Sequence, residues 1–133
     1  MSKRLLVAIQ GERGSYSEQA ATGLLGAEVE VFCCKHFEEV FQRTSNGEAN
    51  CCLIPIENSL SGSIHKNYDL LLQYDLRIDR EFNLQVEHNL IALPGTQFEK
   101  IKTVISHPVA LDQCESFFKK PVSYTHLTLP TKA

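Results

Sequence analysis

Three short polar stretches hold most of the residues able to do chemistry. They are Gln10-Gly11-Glu12-Arg13-Gly14-Ser15-Tyr16-Ser17, Glu57-Asn58-Ser59-Leu60-Ser61-Gly62-Ser63, and Ser106-His107-Pro108. They are rich in hydroxyls, amides and small residues, and poor in cations. Backbone N–H groups and hydroxyls at a helix start bind an anion without a cluster of lysines or arginines. Together the stretches point to a pocket for a small carboxylate. Taken one residue at a time, the chemistry stays open. Glu57 reads as an ionised ligand or as a capping carboxylate. His107 reads as an acid or as the cap before Pro108. His65 reads as exposed, and Tyr16 and Tyr68 as packing residues. Gly11 and Gly14 do not form a phosphate loop, since no Gly-Lys-Ser follows them.

Each stretch follows an apolar run, which is where ligands bind in parallel α/β sheets. Leu5 to Ile9 reads as a buried strand, and Gly11 to Gly14 as a turn. Ser15-x-x-Glu18 is a capping box that opens a helix through Leu25, with Ala20, Ala21, Leu24 and Leu25 inward. Glu28 to Cys33 is a strand, and Phe37, Val40 and Phe41 mark a second helix ending near Asn46-Gly47. Cys51 to Ile56 is a third strand. Ile64, Tyr68, Leu71 and Leu72 have the spacing of a third helix. Between Leu76 and Leu93, Phe82, Leu84, Val86 and His88 alternate with Glu81, Asn83, Gln85 and Glu87, the pattern of a strand with one wet face. A short helix near Phe98 to Ile101 and a strand from Thr103 to Ile105 follow. Pro108 then opens a helix whose inner face is Ala110, Leu111, Cys114, Phe117 and Phe118. Strands alternating with helices imply an α/β domain with a largely parallel sheet.

The 133 residues suffice for one domain with a modest core. Net charge is -3 with the basic residues scattered, which excludes a nucleic-acid partner. The apolar runs are too short to span a bilayer, and the run after Lys3-Arg4 is too short for an export signal. The five cysteines, Cys33, Cys34, Cys51, Cys52 and Cys114, include two adjacent pairs and no C-x-x-C. Neighbours on a strand point to opposite faces, which suits neither a disulfide nor a zinc site. They read as buried reduced thiols of a cytoplasmic protein.

The order of the motifs adds a resemblance. Val7-Ala8-Ile9-Gln10-Gly11-Glu12-Arg13-Gly14-Ser15-Tyr16-Ser17-Glu18, Pro55-Ile56-Glu57-Asn58-Ser59 with Gly62-Ser63-Ile64 and Asn67-Tyr68-Asp69-Leu70-Leu71, and Ser106-His107-Pro108 with Ala110-Leu111 and Gln113-Cys114 stand in sequence with sensible gaps. Over roughly residues 4 to 118 the chain resembles prephenate dehydratase and its close relative arogenate dehydratase, lyases of phenylalanine biosynthesis. The resemblance implies a two-lobed α/β catalytic domain like a type II periplasmic binding protein, with the active site in the cleft between lobes. Residues 1–78 would form the first lobe, largely present. Residues 79–120 would be part of a truncated second lobe. The tail, 121–133, has no clear period; it resembles the translated read-through of a sequencing-library adapter and is expected to be foreign to the domain or disordered.

Carried over from the family, the catalytic residues are Glu57, Asn58, Ser59, Ser106, His107 and Gln113. The substrate-binding residues are Gly14, Ser15, Tyr16, Ser17, Ser61, Gly62 and Ser63. The implied reaction is the decarboxylating dehydration of prephenate to phenylpyruvate, or of arogenate to phenylalanine. It needs neither metal nor cofactor, and the family tends to form homodimers. Two departures stand out. Val109 replaces the Gln that usually follows Ser-His-Pro. The family's Thr-Arg-Phe (or Tyr) motif, whose Thr is the expected proton donor and whose Arg clamps a carboxylate, has no counterpart in these residues. This chain by itself is therefore expected to be inactive; tight ligand binding without product formation would favour a non-catalytic module instead. The rival readings are a non-catalytic carboxylate-binding module and an interaction domain whose polar clusters only cap helices.

Overall fold

The computed structural model describes residues 3–59, 62–119 and 126–128. The chain divides into two compact units, Met1–Val86 and Glu87–Ala133.

The first unit is built on three parallel strands in the order β2-β1-β3. These are β1 (Leu6–Gln10), β2 (Glu30–Cys34) and β3 (Cys51–Cys52). Leu6 to Gln10 pair in register with Glu30 to Cys34, and Val7 and Ala8 with Cys51 and Cys52. The apolar run is unbroken because β1 is covered on both faces, as parallel sheets require. Val7 and Ile9 pack with Ala21 of helix α1 (Tyr16–Leu25). Ala8 packs the other way, with Cys34, Ala49 and Val40 of helix α2 (Phe37–Ser45). Phe41 is fully buried and stacks on Tyr74, 5.8 Å between ring centroids, which ties helix α3 (His65–Gln73) against α2. Each fully buried Val, Ile or Phe contributes about 1.5–3 kcal/mol.

The sequence predicts a six-residue strand from Cys51 to Ile56, but the ladder stops after Cys52. Leu53 N–H still reaches Ala8 O, at 3.0 Å. Pro55 has no N–H to continue it. A hairpin of two short strands, β4 (Glu57–Asn58) and β5 (Gly62–Ser63), follows instead. Helix α3 also turns a different face inward from the one its apolar residues suggest. Tyr68 and Leu72 are exposed, while Asn67 and Leu70 are buried. The run from 75 to 93 forms no strand, although its alternation predicts one. An extended segment becomes a strand only with a ladder partner, and none of the described residues supplies one. Phe82 packs instead over Gly23 in α1.

The second unit opens with a 3-10 turn, Phe98–Lys100, and β6 (Thr103–Ile105), whose Val104 is buried. Helix α4 (Pro108–Gln113) begins at the proline, which fits the first helical position. The single helix expected through Phe118 breaks at Cys114, where ψ rises to 9°, and restarts as α5 (Glu115–Phe118). Phe117 meets Phe98 and Phe118 edge-on. The tail contains β7 (His126–Thr128), paired in parallel with β6 from Thr103↔His126 to Ile105↔Thr128. A reading from periodicity alone assigns these three residues no strand, since their extended character comes from the partner.

Candidate functional site

In the first unit, two polar clusters lie past the carboxyl end of the same parallel sheet. The first follows β1. Gly11 adopts φ 112° and Gly14 φ 87°, left-handed geometry that favours glycine. Gly11 N–H donates to Cys34 O at 2.9 Å, and Gln10 Nε2 donates to Lys35 O at 3.2 Å, so this loop is moored to the end of β2. Ser15 caps α1: its Oγ accepts from Glu18 N–H at 3.3 Å. Glu18 Oε1 in turn accepts from Gly14 N–H, also at 3.3 Å. The serine half of the expected capping box forms, but Glu18 reaches Gly14 N–H while Ser15 N–H donates to Glu12 O; together these bonds engage the Ser15 oxygen and the Gly14 N–H that the carboxylate reading would use. Tyr16 opens the helix and is 43% exposed, and Ser17 is half-buried.

The second cluster is not a helix start, contrary to expectation. Glu57 pairs with Ser63 and Asn58 with Gly62 across the β4–β5 hairpin. Helix α3 begins only afterwards, with Ile64 at its N-cap and no side-chain cap bond. The antiparallel pairing takes up the backbone groups that would otherwise serve a helix N-terminus. Glu57 and Ser59 are exposed and Asn58 is half-buried. Ser61 lies outside the described residues, and Gly62 and Ser63 are placed by their backbone alone. Ile64 N–H closes the hairpin on Ile56 O at 2.9 Å. Behind it stands a residue absent from the expected set, Asn67, whose Nδ2 donates to Pro55 O at 2.7 Å. The available signal was an amide at helical spacing between Ile64 and Leu70.

In the second unit, the third cluster joins β6 to α4. Ser106 is half-buried and His107 exposed. His107 is the N-cap of α4, and its Nδ1 accepts from Val109 N–H at 3.2 Å. Gln113, at the end of α4, has its Oε1 bonded by His88 Nε2–H at 2.7 Å. Nothing in the spacing of the sequence links His88 to Gln113, 25 residues away. Each unit thus presents its own group of mostly neutral donors and acceptors, with the carboxylates of Glu12, Glu18 and Glu57 beside those of the first.

All five cysteines are free. Cys34 is buried, and Cys51 and Cys52 half-buried. Burial pushes the Cys34 thiol up to about 11. It also raises Cys51 and Cys52 above the ordinary thiol value. Cys33, expected inside, is exposed on the far side of β2 from Cys34. Among the described residues, no group of three or more His, Cys, Asp or Glu side chains could hold a metal ion. No described helix is long and apolar enough to cross a membrane.

The family model for prephenate dehydratase matches residues 7–129, taking in all three clusters. The chain belongs to the prephenate dehydratase family. Arogenate dehydratase 1 of Petunia hybrida is 50% identical over 111 residues, 84% of this chain and 26% of that protein. The chain therefore spans about a quarter of the length of such curated relatives. Its fold matches a prephenate dehydratase from Arthrobacter aurescens, solved in complex with L-Phe, with a TM-score of 0.69 at 21% identity. That match covers 95% of this chain and 42% of the other. It also matches GqqA, described as a novel type of quorum quenching acylase, with a TM-score of 0.77 at 26% identity. The GqqA match covers 92% of this chain and 44% of that one. The two descriptions differ, so the reaction has to be argued from the prephenate dehydratase motifs and not from the fold.

Proposed function

We propose that this chain supplies carboxylate-holding residues of an enzyme that converts prephenate to phenylpyruvate, or arogenate to phenylalanine, in aromatic amino-acid biosynthesis. The family match across 7–129 carries this reading. In the reaction, the carbon–carboxylate bond breaks and its electron pair moves into the ring. The ring hydroxyl then leaves, taking up a proton, so that carbon dioxide and water are the by-products. Aromatisation drives the step. The protein has to fix a dianion and deliver that proton. Asn58, Ser59, Ser106 and Gln113 are neutral hydrogen-bonding groups able to hold carboxylates without the cost of adding charge. In the first unit, Gly14 to Ser17 would add to the groups that Asn58 and Ser59 offer, although Ser15 already caps α1. His107 Nδ1 accepts from Val109 N–H, so its ring holds its proton on Nε2 and can offer that N–H as a hydrogen-bond donor to the substrate.

These residues contain no Thr-Arg-Phe. In our reading the 133-residue chain binds the dicarboxylate without turning it over, as a binding module would. The five free thiols support a reducing compartment, the cytoplasm in this proposal. A homodimer belongs to the same proposal. Calorimetry of the purified chain with prephenate and with arogenate, beside an assay for phenylpyruvate, tests the reading. Binding that is lost in the triple variant Glu57→Ala, Asn58→Ala, Ser59→Ala supports it. Affinity unchanged in that variant sinks it.

A further inference from the structure

Asn67 is the one buried polar side chain among the described residues, with no exposed surface at all. Its two amide atoms have opposite fates. Nδ2 donates to Pro55 O at 2.7 Å. Oδ1 is buried with no hydrogen-bond partner among the described residues. A buried acceptor without a donor weakens a fold, and an aliphatic side chain of similar volume would avoid it. A polar group kept at such a site has work that packing alone does not explain.

That work is visible in the chain next to it. After Leu53 the ladder on β1 ends. Pro55 lacks an N–H, so its position can be fixed by hydrogen bonding only through its carbonyl. Asn67 holds that carbonyl, and Ile64 N–H holds the next one, Ile56 O, at 2.9 Å. Both donors come from the start of α3, and Asn67 N–H itself donates to Ile64 O at 3.0 Å. Two consecutive carbonyls are thus anchored at the root of the strand that carries Glu57 and Asn58.

We propose that Asn67 is a positioning residue: its side-chain amide stands in for a missing strand neighbour and sets the β4–β5 hairpin in one orientation on α3, which preorganises Glu57, Asn58 and Ser59. The purpose rests on the carboxylate-binding reading; the anchoring itself does not. Groups held in place before binding lose less freedom when a ligand arrives.

Amide hydrogen exchange by NMR on the whole chain tests the proposal. In the unmodified protein, an Asn67 Nδ2 proton is protected. In Asn67→Leu, the Ile64 N–H exchanges at least tenfold faster while the Val7 to Ile9 amides keep their rates. Asn67→Asp, which presents oxygens alone to Pro55 O, does the same. Prephenate affinity of both variants falls about tenfold. Unprotected Asn67 amide protons in the unmodified chain would overturn the proposal even if neither variant folds. So would Ile64 exchange that stays unchanged, or that rises only in step with β1. If the unmodified chain fails to bind prephenate, the carboxylate reading falls, and the exchange rates alone decide the role of Asn67.

Discussion

The ring of Phe82 lies over Gly23, so close that a β-carbon there would stand 2.7 Å from Phe82 Cζ. This contact holds the extended segment after α3 against α1, in place of a ladder. Two effects oppose each other in Gly23→Ala. Alanine in mid-helix is favoured over glycine by about 1 kcal/mol. Against that, the ring has to give way, and overpacking costs about 1–3 kcal/mol. Phe82 is 41% exposed, and the atom met is the far end of its side chain, so displacement sits at the low end. Gly23→Ala is therefore expected near neutral in the native background. In a Phe82→Ala background it should stabilise by about 1 kcal/mol. Urea unfolding of the four proteins of this cycle measures the difference, and equal effects in both backgrounds would remove Phe82 from the account.

Alkaline pH should weaken the first unit through its thiols. Burial chiefly, then the Glu39 carboxylate, lifts Cys34 from 9.0 to about 11, with Arg43 opposing. A group raised in the fold favours folding fully below its unfolded value, and that contribution is lost as pH climbs through the folded one. The window therefore opens near 9.0 and closes near 11. Cys34 alone accounts for a loss on the order of 2 kcal/mol. Cys51 and Cys52 shift in the same direction. Thermal melts across the window should show a falling midpoint, with a shallower fall in Cys34→Ala. A midpoint that is flat in the unmodified chain would contradict a buried Cys34 thiol.

The first unit was legible because its signals are local. An unbroken apolar run such as Leu6 to Ile9 marks a strand covered on both faces, and the Ser15–Glu18 box marks a helix start. The three polar clusters were legible too, as stretches past strand ends. What the sequence hid depends on distant partners. Residues 75–93 alternate like a strand but find no ladder, and His126–Thr128 become one only beside β6. The pairing of His88 with Gln113 and of Asn67 with Pro55 leaves no periodic trace. The capping alternative for Glu57 stayed open because no residue pattern marks the hairpin that intervenes before α3.

His107 offers a way to separate capping from chemistry. Its Nδ1 accepts from Val109 N–H, so the neutral ring carries its proton on Nε2. Asparagine also caps well. His107→Asn should leave urea stability within about 0.5 kcal/mol, while His107→Ala should lose about 1 kcal/mol. If His107 acts on the substrate, both variants weaken prephenate binding alike. Binding that follows stability instead, lost only in the alanine variant, would leave His107 as a cap and nothing more.

His88 decides which end of the Gln113 amide is on offer. Its Nε2–H occupies Gln113 Oε1 at 2.7 Å, which leaves the Nε2 amide protons as the donors available to a carboxylate. Without that bond the amide can rotate and present its oxygen, which repels an anion. His88→Leu should therefore weaken dicarboxylate binding about three- to tenfold, or roughly 1 kcal/mol, without a matching change in stability, since the pair is exposed. Gln113→Glu should cost more, because it sets a carboxylate against a carboxylate. Combining His88→Leu with Gln113→Ala should add nothing beyond Gln113→Ala alone. Calorimetry with prephenate on the three variants checks this. Additive losses would mean that His88 meets the ligand by itself and does not work through Gln113.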